Sequence, residues 1–275
     1  MSALESITKF IREAQGIDLE NFRPSFIERR LSKRMKLAAC TDLSDYYTFL
    51  VNNNDEIDAL VDELRITVSW FYRNPIMWEI LKIRVLPKLI DTRIKQKKEF
   101  IRIWVAGCAR GEEPFTLAIL IYEIIKKQNY NIIPQIFATD IDPGALTVAK
   151  SGIYDTDAFK NLPFGLLEKY FEKTKAKFKA QPLLKEIVHF STFDLLDSKR
   201  KTPPEAVFTT FDIVICQNVM IYYQDVTQRT IFSKLARAVS EDGYLILGES
   251  ETLMDQRKNE FVKISDLGNI YQKHN

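Results

Sequence analysis

Three short stretches carry residue types that could do chemistry together. Residues 107–114 read Gly107-Cys108-Ala109-Arg110-Gly111-Glu112-Glu113-Pro114. The two glycines permit a tight turn and close approach of backbone to a ligand. Glu112 and Glu113 then set two carboxylates at the start of the next helix. The pattern is not GxGxxG, and a pyrophosphate would be repelled there, which argues against a dinucleotide or a nucleoside triphosphate. The second stretch, Ala138-Thr139-Asp140-Ile141-Asp142-Pro143, offers Asp140 as an acceptor for both hydroxyls of a ribose. The third, Cys216-Gln217-Asn218-Val219-Met220-Ile221-Tyr222, presents polar amides first and a phenol one turn later. A nucleoside ligand with a cationic portion suits this set, such as S-adenosylmethionine with its ammonium and sulfonium.

Taken singly, each stretch has a plainer explanation. Glu112 equally favours a helix N-terminus, Asp140 to Pro143 equally makes a helix cap, and Tyr222 is equally a core aromatic. Their order, each at the end of an apolar strand, is what favours a nucleoside-type cofactor. The strands expected are residues 101–106, 133–138, 211–216 and 243–248. Helices are expected over 114–125, from Pro143 onward, and over 225–239. Strands alternating with helices predict a parallel, doubly wound α/β sheet with helices on both faces. Residues 152–190 break the rhythm with Lys-rich sequence and short strands near Lys177-Phe178-Lys179 and Ile187-Val188, read as a small inserted β subdomain. The segment before Phe100 lacks strands. Leu4, Ile7, Phe10 and Ile11 recur at helical spacing, Pro24 can open a helix, and Thr41 to Asp45 can cap another. The expected organisation is a helical N-terminal domain over 1–75, a linker helix over 76–99, and a sheet domain over 100–275.

Composition narrows the class. The chain has 275 residues, 46% hydrophobic and 28% charged, an ordinary globular balance. No apolar run reaches the length of a bilayer span, and the first residues lack a basic-then-apolar signal pattern. Cys40, Cys108 and Cys216 stand far apart with no CxxC pair, which fits a reducing, cytoplasmic setting rather than a disulfide framework or zinc site. With two histidines, His189 and His274, neither a metal centre nor a histidine-based triad is expected. A net charge of +2 does not predict nucleic-acid binding.

At these stretches the sequence resembles the CheR family of chemotaxis-receptor methyltransferases. The family turn Gly-Cys-Ala-Thr-Gly-Glu-Glu-Pro stands here at 107–114, and its Ala-Thr-Asp-Ile-Asp at 138–142. Its Ser-Gly-Ile-Tyr is matched by Ser151 to Tyr154, its Cys-Arg-Asn-Val-Leu-Ile-Tyr-Phe by Cys216 to Tyr223, and its Gly-x-Ser-Glu by Gly248 to Glu251. More loosely, Asn-Val-Thr-Glu-Phe-Phe-Arg-Asp is matched by Thr67-Val68-Ser69-Trp70-Phe71-Tyr72-Arg73-Asn74. Departures from the family pattern include Thr67 for Asn, Ser69 for Thr, Arg110 for Thr, Asp194 for Asn and Gln217 for Arg.

The resemblance implies a Rossmann-like methyltransferase that binds S-adenosylmethionine, releases S-adenosylhomocysteine, and methylates glutamate side chains on methyl-accepting receptors. Thr67, Ser69 and Arg73 would hold the cofactor from the interdomain segment, with Gly107 in the turn, Glu113 near the methionine portion and Asp140 on the ribose. Asp194 and Leu195 would flank the adenine, with Gln217 and Asn218 closing the site. Arg73 and Tyr222 would lie beside the transferred methyl, and Arg30 would reach toward the substrate glutamate. The basic helix over 29–36, with Arg30, Lys33 and Arg34 on one face, is read either as a solvated face or as a docking surface for receptor cytoplasmic helices. A monomer without nucleic-acid or membrane partners is expected. The alternative is a cofactor-binding regulatory module whose catalysis the departures have weakened.

Overall fold

Side-chain caps fix where the first helices begin. In the computed structural model, which describes residues 2–274, α1 (Ala3–Gln15) opens on a reciprocal box: the Glu5 N–H donates to the Ser2 hydroxyl, and the Ser2 N–H to the Glu5 carboxylate. α2 (Pro24–Leu37) starts on its proline. α3 (Leu43–Val51) is capped by Asp42 and α4 (Asn54–Leu64) by Asn53. Their apolar stripes meet in one core that includes Ile7, Ile11, Phe26, Leu31, Tyr46, Leu50 and Leu60, all buried. The compact unit comprises Met1–Ile66 together with Ile221–Gln228. The late segment is tied in by backbone: the Arg23 N–H donates to the Tyr222 carbonyl (2.9 Å) and the Gln224 N–H to the Asn21 carbonyl (2.9 Å).

The second unit is Thr67–Met220 with Arg229–Asn275. It therefore begins at residue 67, where the sequence suggested a boundary at 75. The reason is Phe71: fully buried, it stacks on Phe159 with ring centroids 4.7 Å apart and anchors its segment in this core. α5 (Pro75–Ile80) runs through a widened π turn, Leu81–Val85, into α6 (Leu86–Lys95). Pro87 has no N–H for the Ile83 carbonyl and would crowd it in a tight α-helix, which gives the widening a cause.

From β1 (Phe100–Ala106) the chain alternates as expected through α7 (Glu112–Gln128), β2 (Ile133–Asp140) and α8 (Pro143–Ser151). The insertion follows as β3 (Ile153–Asp155), α9 (Phe164–Tyr170), β4 (Phe171–Thr174), β5 (Lys177–Ala180) and α10 (Pro182–Glu186). Its strands form a three-stranded antiparallel sheet in the order β3-β5-β4. The β4–β5 hairpin turns without glycine, Lys175 taking φ +54° in its place. The strand expected at Ile187-Val188 is not part of this subdomain. It is β6 (Val188–Thr192), which pairs in parallel with β2 in the main sheet, as its buried Val188 and Phe190 require.

β7 (Phe211–Cys216), α11 (Asp225–Ala238) and β8 (Val239–Leu247) continue the winding, and β9 (Phe261–Lys263) and β10 (Ile270–Lys273) end it. The main sheet has seven strands in the order β6-β2-β1-β7-β8-β10-β9. It is parallel except that β10 pairs antiparallel with both β8 and β9. The expected parallel, doubly wound sheet is present over β6, β2, β1, β7 and β8, and β10 and β9 add an antiparallel edge, because they are short strands that return by turns rather than by helices. The strand order reverses direction between β1 and β7, which marks the ligand crevice at the carboxyl ends of those strands.

Candidate cofactor site

Four strand ends of the second unit supply the crevice. After β1, Gly107 takes φ +75°, and a Cβ there would lie 2.3 Å from Val219 Cγ2, so no other residue fits without displacing the neighbouring loop. The Gly107 and Cys108 N–H groups both donate to the Thr139 carbonyl, at 2.8 and 2.9 Å, which seats the turn on the end of β2. Asp140 completes the seat. Its Oδ2 accepts from the Ala109 N–H (2.8 Å) and its Oδ1 from the Asp142 N–H (2.9 Å). Burial raises the Asp140 carboxyl above its ordinary range, opposed by these two backbone donors. Each oxygen still has a lone pair to offer a hydroxyl.

Glu113 lies at the centre of this set. Its Oε2 accepts one hydrogen bond, from the Gln217 amide at 2.9 Å. Burial pushes its carboxyl up to about 8, with the charge of Arg73 opposing the shift and those of Glu251 and Glu112 adding to it. Glu112, one residue earlier, is almost wholly buried with Oε2 unpartnered, and burial raises it to about 7. A carboxylate poor in donors and facing a crevice fits a ligand that brings its own positive charge. The Asn74 amide approaches Gln217 Oε1 at 3.4 Å, so the Gln217 side chain is aligned from one side and gives its donor to Glu113 on the other.

The loop after β7 is held by the last residue of the Gly-x-Ser-Glu motif, to which residue type and spacing alone assign no role. Glu251, 4% exposed, accepts four backbone N–H groups: Asn218 (3.0 Å), Val219 (3.0 Å), Met220 (2.7 Å) and Gly248 (2.7 Å). Gly248 is required by the same contact, since its Cβ would meet Glu251 Oε2 at 2.7 Å and the Asn218 nitrogen at 2.8 Å. Asn269 braces the turn from behind, donating to the Gly248, Glu249 and Glu251 carbonyls. The available signal was the Gly-x-Ser-Glu ending itself.

The remaining expected cofactor residues fall in the same unit. Asp194 is exposed after β6, where the Phe193 N–H donates to the Asp140 carbonyl (3.0 Å), and Asp194 Oδ1 accepts from the Leu196 N–H (2.8 Å). Leu195, beside it, is half-buried, as are Thr67, Ser69, Gln217 and Asn218. Arg73 lies with its guanidinium 4.7 Å from the Trp70 ring centroid, one N–H donating to the Val68 carbonyl at 3.2 Å. Tyr72, Asn74, Ala109 and Asn218, all near this crevice in sequence, adopt positive φ. Non-glycine residues in that region store strain of about 1 kcal/mol or more each and concentrate at ligand sites.

Arg30 and Tyr222 belong to the helical unit. Both lie against Phe26: the Arg30 guanidinium is 5.1 Å from its ring centroid and the Tyr222 ring 5.3 Å. Arg30 and Lys33 each pair with Glu63, and Arg34 makes two bonds to Glu56, at 3.0 and 2.6 Å. The basic face expected to be free is thus largely an intramolecular seam between α2 and α4. Arg29 and Lys36 are the exposed cations that remain on that helix beside Lys33.

A crevice at the switch point of an α/β sheet, with a ribose-type acceptor and an electron-rich floor, defines a class: enzymes that hold a nucleoside cofactor with a cationic head. Comparison with known proteins narrows it. Residues 67–267 match the family model "CheR methyltransferase, SAM binding domain", and residues 2–64 match "CheR methyltransferase, all-alpha domain". A chemotaxis protein methyltransferase of Borreliella burgdorferi is 32% identical over 94% of this chain and 91% of its own length. Chemotaxis protein methyltransferase 1 of Pseudomonas aeruginosa is 32% identical over 89% and 88%. The chain also aligns, at 29% identity over 98% of its length, with 27% of an uncharacterized 104.1 kDa protein of Rhodobacter capsulatus. The chain belongs to the CheR methyltransferase family, and its cofactor is S-adenosylmethionine.

Proposed function

We propose that this protein methylates glutamate side chains on helical cytoplasmic segments of chemotaxis receptors, acting as a cytoplasmic monomer. The observation that carries the reading is Arg73, a guanidinium beside the electron-rich crevice with no carboxylate in ion-pair distance among the described residues. The names of the relatives supply the biological setting. No helix among the described residues is long and apolar enough to cross a membrane.

When bound, S-adenosylmethionine supplies an electrophilic methyl carbon on its sulfonium. Glu113, steadied by Gln217, would hold the positively charged methionine portion, and Asp140 the ribose hydroxyls. Thr67, Ser69 and Asn218 would add polar contacts, while Asp194 and Leu195 would border the base. The acceptor glutamate is ionised at neutral pH, its reference pKa being about 4.3, so the site needs no general base. Arg73 would orient that carboxylate through its planar pair of donors and leave one oxygen free to attack. Tyr222 and Arg30 are assigned to the acceptor side by the family resemblance. The Glu63 pair would have to loosen for Arg30 to serve.

The test is transfer of labelled methyl to a receptor cytoplasmic fragment, with calorimetric titration of S-adenosylmethionine and S-adenosylhomocysteine alongside. A methyl ester releases its label as methanol in mild base, whereas an N-methyl group does not. Base-labile label lost in Arg73→Ala is the expected result. Tight binding of both ligands without transfer would overturn the proposal in favour of a cofactor-binding regulatory module.

A further inference from the structure

Trp70 is out of character for its position. The family motif carries Glu there, beside the Arg that corresponds to Arg73, whereas this chain has an indole. Two cations lie over that ring, Lys160 Nζ at 3.5 Å from the centroid and the Arg73 guanidinium at 4.7 Å. Both cations lie within the reach of the ring's negative face, an attraction that is modest at a partly exposed site. The two charges are therefore no more than about 8 Å apart, and the ring offsets only part of their repulsion.

Backbone fixes the pair. The Phe71 N–H donates to the Ala158 carbonyl at 2.8 Å, and the Phe71 and Phe159 rings stack at 4.7 Å, so the 70–73 segment and the 158–160 turn are tied to each other by backbone and side chain. Among the described residues neither cation has a carboxylate within ion-pair distance, and the Trp70 indole N–H is buried without a partner. Lys160 is exposed to solvent. A glutamate at residue 70 would have offset one of these two charges; tryptophan leaves the corner doubly positive. Arg73 is already assigned to the acceptor carboxylate, so the second charge has room for a second acid.

We propose that Lys160, held beside Arg73 by the Trp70 ring, is a specificity-determining residue that binds an acidic side chain flanking the methyl-accepting glutamate of a helical protein substrate. The inference rests on the methyl-transfer reading of the same site. On a helix the flanking acid would stand three or four residues from the acceptor, where side chains are neighbours.

Two helical peptides with the same acceptor glutamate test it, one with glutamate and one with glutamine at the flanking positions. Their binding is followed by fluorescence anisotropy with S-adenosylhomocysteine present, and their methylation by initial rates. Wild type should bind the acid-flanked peptide about threefold to fivefold more tightly than the neutral one, as one exposed charge pair allows. In Lys160→Ala that ratio should fall to near one, the loss appearing in KM rather than kcat. Lys160→Arg should restore it, and Lys160→Glu should prefer a lysine-flanked peptide. Equal affinity of wild type for both peptides, or an equal loss on both in Lys160→Ala, overturns the proposal. Selective binding without any methylation leaves Lys160's role standing and overturns the methyl-transfer reading instead.

Discussion

Glu113 and Glu251 are two carboxylates of one crevice with opposite surroundings. Glu251 is surrounded by donors, four backbone N–H groups from two loops, and its negative charge is the point around which residues 218–220 and Gly248 are wrapped. Glu113 receives a single amide hydrogen bond and is pushed up to about 8 by burial. The first carboxylate is satisfied by the protein itself. The second receives one neutral amide among the described residues, and the demand that this leaves unmet is of the kind a cationic ligand head relieves. Burial alone does not separate the two roles; the count of donors does.

The largest effect should come from removing the well-supplied carboxylate. Glu251→Ala leaves four buried N–H groups without an acceptor and should cost about 3–5 kcal/mol, lowering the melting temperature by roughly 10 °C and abolishing calorimetric binding of S-adenosylhomocysteine. Gly107→Ala should come next. Its new methyl collides with Val219, so cofactor affinity should fall by about two orders of magnitude, and Gly107→Ala with Val219→Ala should recover part of it, the residual loss being the cost of φ +75° for alanine, about 1 kcal/mol. No recovery in the double variant would show that the clash is not the cause.

Glu113→Gln should do the reverse of Glu251→Ala to stability. Without ligand, the raised Glu113 carboxyl binds its proton more tightly folded than unfolded. Its contribution is fully present below the ordinary carboxylate range and is lost as pH rises through about 8. Glu112, raised to about 7, bends the curve the same way at lower pH. Thermal melts of Glu113→Gln should therefore lose less stability than wild type between pH 6 and pH 9. Its affinity for S-adenosylmethionine should drop about tenfold. The smallest effect is in the ligand's pH dependence. Wild type should bind S-adenosylmethionine more tightly at pH 8.5 than at pH 6.5, as Glu113 ionises, and Glu113→Gln should flatten that slope. A slope unchanged by the substitution would assign the cation-binding role elsewhere.

The placement of these residues was legible from the apolar runs before them: Gly107, Asp140 and Gln217 stand at strand ends, and Glu113 in the first turn of the helix after β1. What was not legible depends on who faces whom. Three of the four partners of Glu251 are backbone groups some thirty residues earlier, which no side-chain pattern announces. Helical spacing placed Arg30, Lys33 and Arg34 on one face correctly, yet could not show that Glu56 and Glu63 of α4 occupy it. Val188 belongs to the main sheet because of its register with Ile136, a long-range fact. The β4–β5 hairpin formed without the glycine that local turn rules favour, since its flanking ladder holds Lys175 in place.

The helical unit is discontinuous along the chain, and that has a consequence for its birth on the ribosome. Phe22 stacks on Tyr223 with centroids 4.8 Å apart, and Phe26 packs against Tyr222. Both aromatic partners emerge more than 150 residues after α4, about ten to thirty seconds later at ordinary elongation rates. During that interval α1 to α4 have their own core, but Phe22 and Phe26 lack the tyrosines that cover them. The helical unit is thus completed long after its own helices are made, and the aromatic faces of Phe22 and Phe26 wait uncovered until residues 222 and 223 emerge.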